Sequence, residues 1–440
     1  SNAEHGKPKR PYYPPMDLRF PDGFLWGTAT AAHQVEGGNT NSDWWEWEHR
    51  RGSPVAEPSG DAIRHFTRYR DDIALLASLG FGVYRFSVEW ARIEPEEGRF
   101  DSEALRHYRA VVAAVRSHEM VPMVTLHHFT VPRWFAAKGG FMSPEAPALF
   151  ERYCRAVVTA LEDQVDWYCT INEPGVLSLG GYMGAFGWPP GTRDMDSWHK
   201  AIAGLRLSHV AARNAVKEVR GQALVAATHS MTEYESDDTA RPLMEYLRRF
   251  NEDVFFEVCT EDDFIGVQTY SRVVLESPSW TGPLIRALVG VNPIRRVMLP
   301  RLIRSRTTDF ADTQRGGTIR RTDMGYEFRP EAVAATVRRA AELLPGKDLI
   351  VTEHGVATHH DGERIEFITA GLAALHRVVE DGIPLRGYVH WSAFDNFEWA
   401  LGYRMQFGLI AVDRSTQVRT PKPSARFLGE IARTGVVPTG

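Results

Sequence analysis

The chain has little that points to a covalent staple or a metal. Its 440 residues hold three cysteines, Cys154, Cys169 and Cys259, and none forms a close pair. Neither a disulfide framework nor a zinc motif is therefore expected. Cys169 falls inside an apolar run and reads as a buried thiol. A basic excess is also missing: 51 Lys and Arg stand against 56 Asp and Glu, a formal charge of −5. That balance gives no electrostatic basis for a nucleic acid partner. No apolar stretch approaches the ~20 residues that cross a bilayer, so no membrane partner is expected. No signal peptide and no Asn-X-Ser/Thr acceptor is recognisable. The expectation is a cytoplasmic protein, with a removed leader left open because Ser1-Asn2-Ala3 reads as a cloning scar.

Aromatic residues, by contrast, are plentiful, with 12 Trp. They serve either a large core or stacking platforms for sugar rings, and placement decides between the two. The dominant rhythm is strand, loop, helix. Strand-like runs fall at Phe24–Gly27, Val83–Val88, Met120–Phe129, Trp167–Ile171, Ala223–Thr228, Phe264–Tyr270, Leu349–Glu353 and Tyr388–Phe394. Several are near-continuous apolar runs, as expected for strands covered on both faces. Helical patterns lie between them. Asp71–Gly80 has acids at its start and Gly at its stop, and Pro330–Leu344 opens with Pro. The expected fold is α/β, a single (β/α)8 TIM barrel with long loops at the C-terminal face of the strands. Residues 1–15 read as scar and flexible arm, and 16–435 as the catalytic domain. An insertion, 277–324, follows the sixth strand. It carries nine Arg between Arg286 and Arg321, interleaved with aliphatic residues, and is expected to fold over the barrel mouth rather than onto a membrane.

Active sites of such barrels sit at the C-terminal strand ends. Polar and acidic residues collect there: His33 and Gln34, Arg85, His127-His128, Asn172-Glu173, Gln268-Thr269-Tyr270, Glu353, and the run from Trp391 through Asp395-Asn396-Phe397-Glu398-Trp399. Each alone has a bland reading as a core or loop residue. Seven strand ends pointing polar groups at one rim favour a functional one. Glu173 and Glu353 each end an apolar run at a turn signal. Two carboxylates so placed can hold a glycosidic bond, one donating a proton while the other attacks or stabilises the sugar cation. The pairs His127-His128 and His359-His360 are adjacent, not four apart on a helix, so a metal hydrolase is disfavoured, and no metal or other cofactor is expected.

The run Phe20–Gly37, Tyr84-Arg85-Phe86-Ser87, Thr170-Ile171-Asn172-Glu173-Pro174, Val351-Thr352-Glu353-His354-Gly355 and Trp391–Trp399 resemble, in that order, the motifs of family 1 glycoside hydrolases, the β-glucosidase family. The likeness spans about Phe20 to Ser424. It implies a retaining exo-β-glycosidase, foremost a β-glucosidase, working through a covalent glycosyl-enzyme. It assigns Glu173 as general acid/base and Glu353 as nucleophile, with Tyr270 hydrogen-bonded to Glu353 and Arg85 beside it. Gln34, His128, Asn172, Glu398 and Trp399 would grip the sugar. Trp391 would lie beneath its ring and Phe407 would line the rim. The partner implied is a small-molecule β-glycoside, and an oligomer is possible.

Three positions depart from that pattern. Phe129 stands where the family has Trp, which removes an indole N–H from the sugar pocket. Gln268 stands where it has Asn, which unsettles the support near Tyr270. His354 follows the nucleophile in place of Asn, and would either alter the field at Glu353 or pack beside it. A transglycosidase acting on a specialised aglycone is the alternative within the enzyme class, and a catalytically silent sugar-binding relative the alternative outside it. Glu398 and the following Ala400–Arg404 speak against a 6-phosphoglycosidase, and Glu173 against a thioglucosidase.

Overall fold

The computed structural model describes residues 17–277, 281–290 and 319–438. Eight parallel strands among them close a barrel. They are β1 (Leu25–Ala29), β2 (Val83–Ser87), β3 (Val121–His127), β4 (Trp167–Asn172), β5 (Leu224–Ser230), β6 (Phe264–Thr269), β7 (Asp348–His354) and β8 (Leu385–Trp391). Neighbours in sequence pair in order, and β8 pairs with β1 to close the ring. Each of the eight apolar runs is therefore a barrel strand. They read as continuous rather than alternating because their outward residues are also covered. Val83–Ser87, for example, is buried at every position.

The covering helices follow the strands in turn: α1 (His65–Leu79), α2 (Ser102–Ser117), α3 (Ala146–Leu161), α4 (Met195–Val219), α5 (Arg241–Arg248), α6 (Ala332–Leu343), α7 (Asp361–Glu380) and α8 (Pro423–Thr434). Helix α5 runs on through Arg249–Asp253 to Val254–Phe256. Val83, Met123, Cys169, Ala226, Phe264, Ile350 and Val389, one from each of seven strands, cluster inside the barrel. Tyr84, Val124, Tyr168, Val225 and Val351, at the neighbouring positions, join the larger core shared with the helices. All three cysteines are buried and free, Cys169 among the interior residues.

Two boundaries differ from expectation by three residues or more. Helix α1 begins at His65, not Asp71. The acids that resembled a helix start are interior to it: Asp72 is buried, accepting from His65 at 2.8 Å and pairing with Arg419 at 2.7 Å. Its end is as read, with Gly80 at φ 104 receiving the chain in a left-handed conformation. Strand β8 starts and stops three residues earlier than Tyr388–Phe394. Beyond Trp391 the Ser392 hydroxyl and the Asn396 amide both donate to the Phe394 carbonyl, at 2.8 and 3.1 Å, and the chain turns. The N-terminal arm, 1–15, lies outside the described residues, as does most of the 277–324 insertion. Within the described part of that insertion, Gly282–Gly290 is helical and buries Ile285.

Candidate active site

Both glutamates owe their direction to irregularities in the strands. On β7, Ile350 faces the interior, so strict alternation would turn residue 352 inward and 353 outward. The register against β6 shifts between Val351 and Glu353. One extra residue in the strand re-aims the next side chain, and Glu353 turns into the barrel. Strand β4 does the same. Cys169 is interior, the register against β5 shifts between Cys169 and Asn172, and Ile171 packs outward while Asn172 turns in. Glu173 then follows at φ 44, and its N–H donates to the Thr228 carbonyl at 2.8 Å. A left-handed non-glycine residue costs of order 1–3 kcal/mol, a strain that clusters at functional sites.

Arg85 ties the two strand ends together. Its guanidinium donates to Glu353 Oε1 at 2.5 Å and to Asn172 Oδ1 at 2.6 Å. Gln268 Nε2 spans the same two acceptors, at 3.0 Å each. The Tyr270 hydroxyl donates to Glu353 Oε2. Asn172 Oδ1 also accepts from the Thr228 hydroxyl at 3.1 Å. With its oxygen so engaged, the Asn172 amide nitrogen meets His128 Nε2, 3.2 Å away. Glu353 is thus gripped on both oxygens, whereas Glu173 Oε1 is buried with no protein partner.

That contrast sets the charges. Burial raises the Glu353 carboxyl, but Arg85, Tyr270 and Gln268 oppose the rise. Burial raises Glu173 well above the usual carboxylate range, and the neighbouring Glu353 charge adds to it. Glu353 therefore ionises first and Glu173 keeps its proton. Tyr270 stays a neutral donor, its phenol raised by burial and by Glu353. Glu398 is pushed up to about 8 by burial and by the Glu353 charge, against the Gln34 hydrogen bond.

The chain matches glycosyl hydrolase family 1 over residues 16–279 and 295–436. It belongs to that family. Family 1 enzymes are retaining O-glycosyl hydrolases. The chain is 32% identical to thermostable beta-glucosidase B of Thermobispora bispora, over 95% of this chain and 91% of that one. A beta-glycosidase from Pyrococcus horikoshii superposes with a TM-score of 0.83 at 33% identity, covering 96% of both chains. The Thermotoga maritima beta-glucosidase solved in complex with cyclophellitol superposes with a TM-score of 0.81 at 26% identity, covering 95% of this chain and 99% of that one.

In this family 1 hydrolase the remaining polar residues sort clearly. Gln34 Nε2 donates to the Phe397 carbonyl at 2.7 Å and to Glu398 Oε2 at 3.3 Å, which leaves its Oε1 buried and unpartnered. His128 stacks against Trp391 and Trp399 with ring centroids 5.8 and 6.1 Å away. Phe407 meets Tyr270 edge-on at 5.8 Å. His33, although at a strand end, stacks behind Trp399 at 5.8 Å and supports it. His127 packs edge-on against Phe141 and Phe150 in the outer core. Asp395 is an ion-pair partner of Lys422 at 2.8 Å. Trp90 and Trp198 are buried in the core, while Trp391 and Trp399 flank His128 at the barrel end.

The departures resolve in physical terms. Gln268 supplies the support that its longer side chain had put in question, reaching both Glu353 and Asn172. His354 packs away from the Glu353 carboxylate rather than against it. It faces outward, hydrogen-bonded to Tyr388 at 3.0 Å and stacked on Phe367 at 4.7 Å. Burial pushes its imidazole down to about 3, so it is neutral. Phe129, at φ 71, fills its place by packing against Trp188 and Trp399 at 4.9 and 5.2 Å.

Sequence reasoning missed two residues. Thr228, on the one strand whose end carried no expected site residue, braces Asn172 through its hydroxyl and Glu173 through its carbonyl. Its alternation on β5 is the signal that could have revealed it. The other is Tyr326, whose phenol is raised by burial and by the charges of Glu398 and Glu173, although the residue is partly exposed. No strand pattern precedes it, so the sequence held no clue.

Gln268→Leu tests the shared support. Each lost bond to a charged group is worth about 1.5–3 kcal/mol. The expected fall in kcat/KM is roughly tenfold to a hundredfold, with the acid limb of the pH profile moving up as Glu353 loses a donor. An unmoved limb would mean that Gln268 only packs.

Proposed function

We propose that this chain is a retaining exo-β-glucosidase in which Glu353 is the nucleophile and Glu173 the general acid/base. The observation that carries this reading is the asymmetry of the two carboxyls. Glu353 is gripped on both oxygens by a cation, a phenol and an amide, and Glu173 holds a proton over an unpartnered oxygen. Glucose as the glycone rests on the curated relatives named beta-glucosidase.

The sugar lies with its ring over Trp391. Glu353 attacks the anomeric carbon from the α face as the bond to the aglycone oxygen breaks. Glu173 delivers its proton to that oxygen, and the aglycone leaves as an alcohol. The glycosyl ester neutralises Glu353, so the repulsion that raised Glu173 disappears. Glu173, now ionised, takes a proton from water. The resulting hydroxide equivalent attacks the anomeric carbon from the β face and frees Glu353. Two inversions give net retention. The Asn172 amide N–H bonds the 2-hydroxyl, a contact that strengthens in the transition state. Gln34, His128, Glu398 and Trp399 hold the other hydroxyls, and Phe407 lines the entrance.

An activated 2-deoxy-2-fluoroglucoside tests the assignment. The fluorine slows both steps, while the good leaving group restores the first, so the ester should accumulate. Peptide mass spectrometry should find the adduct on Glu353. A stable adduct elsewhere, or inhibition without any adduct, would overturn it.

The pH dependence follows from the two carboxyls. Activity should rise as Glu353 ionises and fall as Glu173 loses its proton, giving a bell in kcat/KM. Glu353→Gln should lower the Glu173 titration, because the charge that helps raise it is gone. Carboxyl NMR with labelled glutamate would detect this. An unshifted Glu173 would show that burial alone sets its proton.

A further inference from the structure

The irregularity that aims Glu353 also opens a seam in the barrel wall. Strand β7 pairs with β8 only as far as Val351–Tyr388. Counting on from there would set Glu353 opposite His390 and His354 opposite Trp391. The extra residue between Val351 and Glu353 ends that ladder, while β7 stays paired with β6 through His354–Thr269. Strand β8 is paired on its other side with β1, up to Trp391–Ala29. Glu353 and Trp391 thus stand on two strand ends with no paired register between them.

Side chains on the outer face bridge that seam. His354 Nε2 meets the Pro330 carbonyl at 3.2 Å, and its Nδ1 meets the Tyr388 hydroxyl at 3.0 Å. The Tyr388 hydroxyl also meets His390 Nδ1 at 3.2 Å. Burial keeps both imidazoles neutral, so each ring has a single N–H. A carbonyl only accepts, so the His354 proton sits on Nε2 and its Nδ1 is an acceptor. The Tyr388 hydroxyl therefore donates to His354, and its oxygen accepts from His390 Nδ1. His390 Nε2 is left as a buried nitrogen without a protein partner. The helix outside makes room for this chain. His354 stacks on Phe367 of α7, and a Cβ at Gly371 of the same helix would fall 2.5 Å from the His354 Cε1. Glycine inside a helix is destabilising, so its presence there marks where the imidazole must sit. Gly355, next after His354, lies so close to Trp391 that a Cβ on it would fall 1.8 Å from the Trp391 carbonyl oxygen.

We propose that His354 is a positioning residue, which through Tyr388 and His390 holds the end of β7 against the end of β8 and so sets Glu353 at its distance from a sugar over Trp391. This role presupposes Glu353 as the nucleophile. The imidazole does not touch the carboxylate. It fixes how far the carboxylate must travel to the anomeric carbon, and a misplacement of about 1 Å costs on the order of a hundredfold in rate. Binding of the sugar hydroxyls by Gln34 and Glu398 is left as it was.

The activated 2-deoxy-2-fluoroglucoside tests this as well. Its inactivation rate constant belongs to each folded molecule, so a loss of stability alone leaves it unchanged. Tyr388→Phe keeps the ring and removes the hydroxyl that joins the two imidazoles. It should lower the rate constant about tenfold, with little change in the concentration giving half the maximal rate. The adduct should remain on Glu353. The acid limb of the pH profile should stay in place, because Glu353 loses no donor, in contrast to Gln268→Leu. Adding His354→Leu to Tyr388→Phe should slow the reaction no further than His354→Leu alone, since both act through one chain. Gly371→Ala, which presses on the imidazole from α7, should slow it too. An unchanged rate constant in Tyr388→Phe would overturn the proposal, and so would a displaced acid limb, the mark of an electrostatic effect. An adduct on another residue of the wild-type chain would overturn the assignment of Glu353 and this role with it.

Discussion

Glu353→Gly is expected to lower hydrolysis of an aryl β-glucoside by roughly four orders of magnitude or more, because the carboxylate that forms the glycosyl ester is removed. The fold should survive. The substitution removes one carboxylate from a barrel end and leaves Arg85 with Asn172 and the Thr125 hydroxyl as acceptors, at 2.6 and 3.1 Å. The space vacated lies beside the anomeric carbon and beneath a guanidinium, a setting that favours a small anion. Added azide should therefore attack in place of the carboxylate. One inversion then follows instead of two, and the product is the α-glucosyl azide. Restored turnover with that stereochemistry would identify Glu353 as the nucleophile. A β-azide, or no rescue at any azide concentration, would remove it from that role.

Glu173→Ala should separate substrates by leaving group. A proton from a positioned acid is worth about 10²- to 10⁴-fold where the departing oxygen is basic. Alkyl glucosides should lose that much. A dinitrophenyl glucoside, whose phenolate leaves unaided, should form the glycosyl-enzyme almost normally and stall at deglycosylation, since no base remains for water. A burst followed by slow turnover is the expected trace. Azide needs no general base and should hasten the second step, this time with the β-azide as product. The alkaline limb of the pH profile should vanish as well, because that limb is the loss of the Glu173 proton. Equal losses across all leaving groups, with the limb intact, would mean that Glu173 acts only through the shape of the site.

How much of this was legible depended on the kind of signal. The barrel was readable because strands covered on both faces must be apolar throughout, and eight such runs alternated with helical stretches. Glu173 and Glu353 were readable from their motifs and from their place at strand ends. Helix α1 was misread because Asp72 resembles a helix-start acid, yet it is an interior partner of His65 and Arg419. The end of β8 was misread because Phe394 is as apolar as a strand residue, while side-chain bonds to its carbonyl take the chain out of the ladder. Thr228 and Tyr326 act through segments far apart in the chain, and local pattern carries no record of that.

By itself the sequence determined the α/β barrel, the place of Glu173 and Glu353 at its strand ends and the resemblance to family 1. Those follow from apolar periodicity and from short motifs, which are local. Only the tertiary structure decided which way the key residues face. Counting by twos from Ile350 and from Cys169 would turn Glu353 and Asn172 away from the interior. A register shift on each strand reverses that. It brings Glu353 and Asn172 onto one guanidinium, and Glu173 follows next in the chain. A shift of register exists only between paired strands, so no single strand's sequence could reveal it.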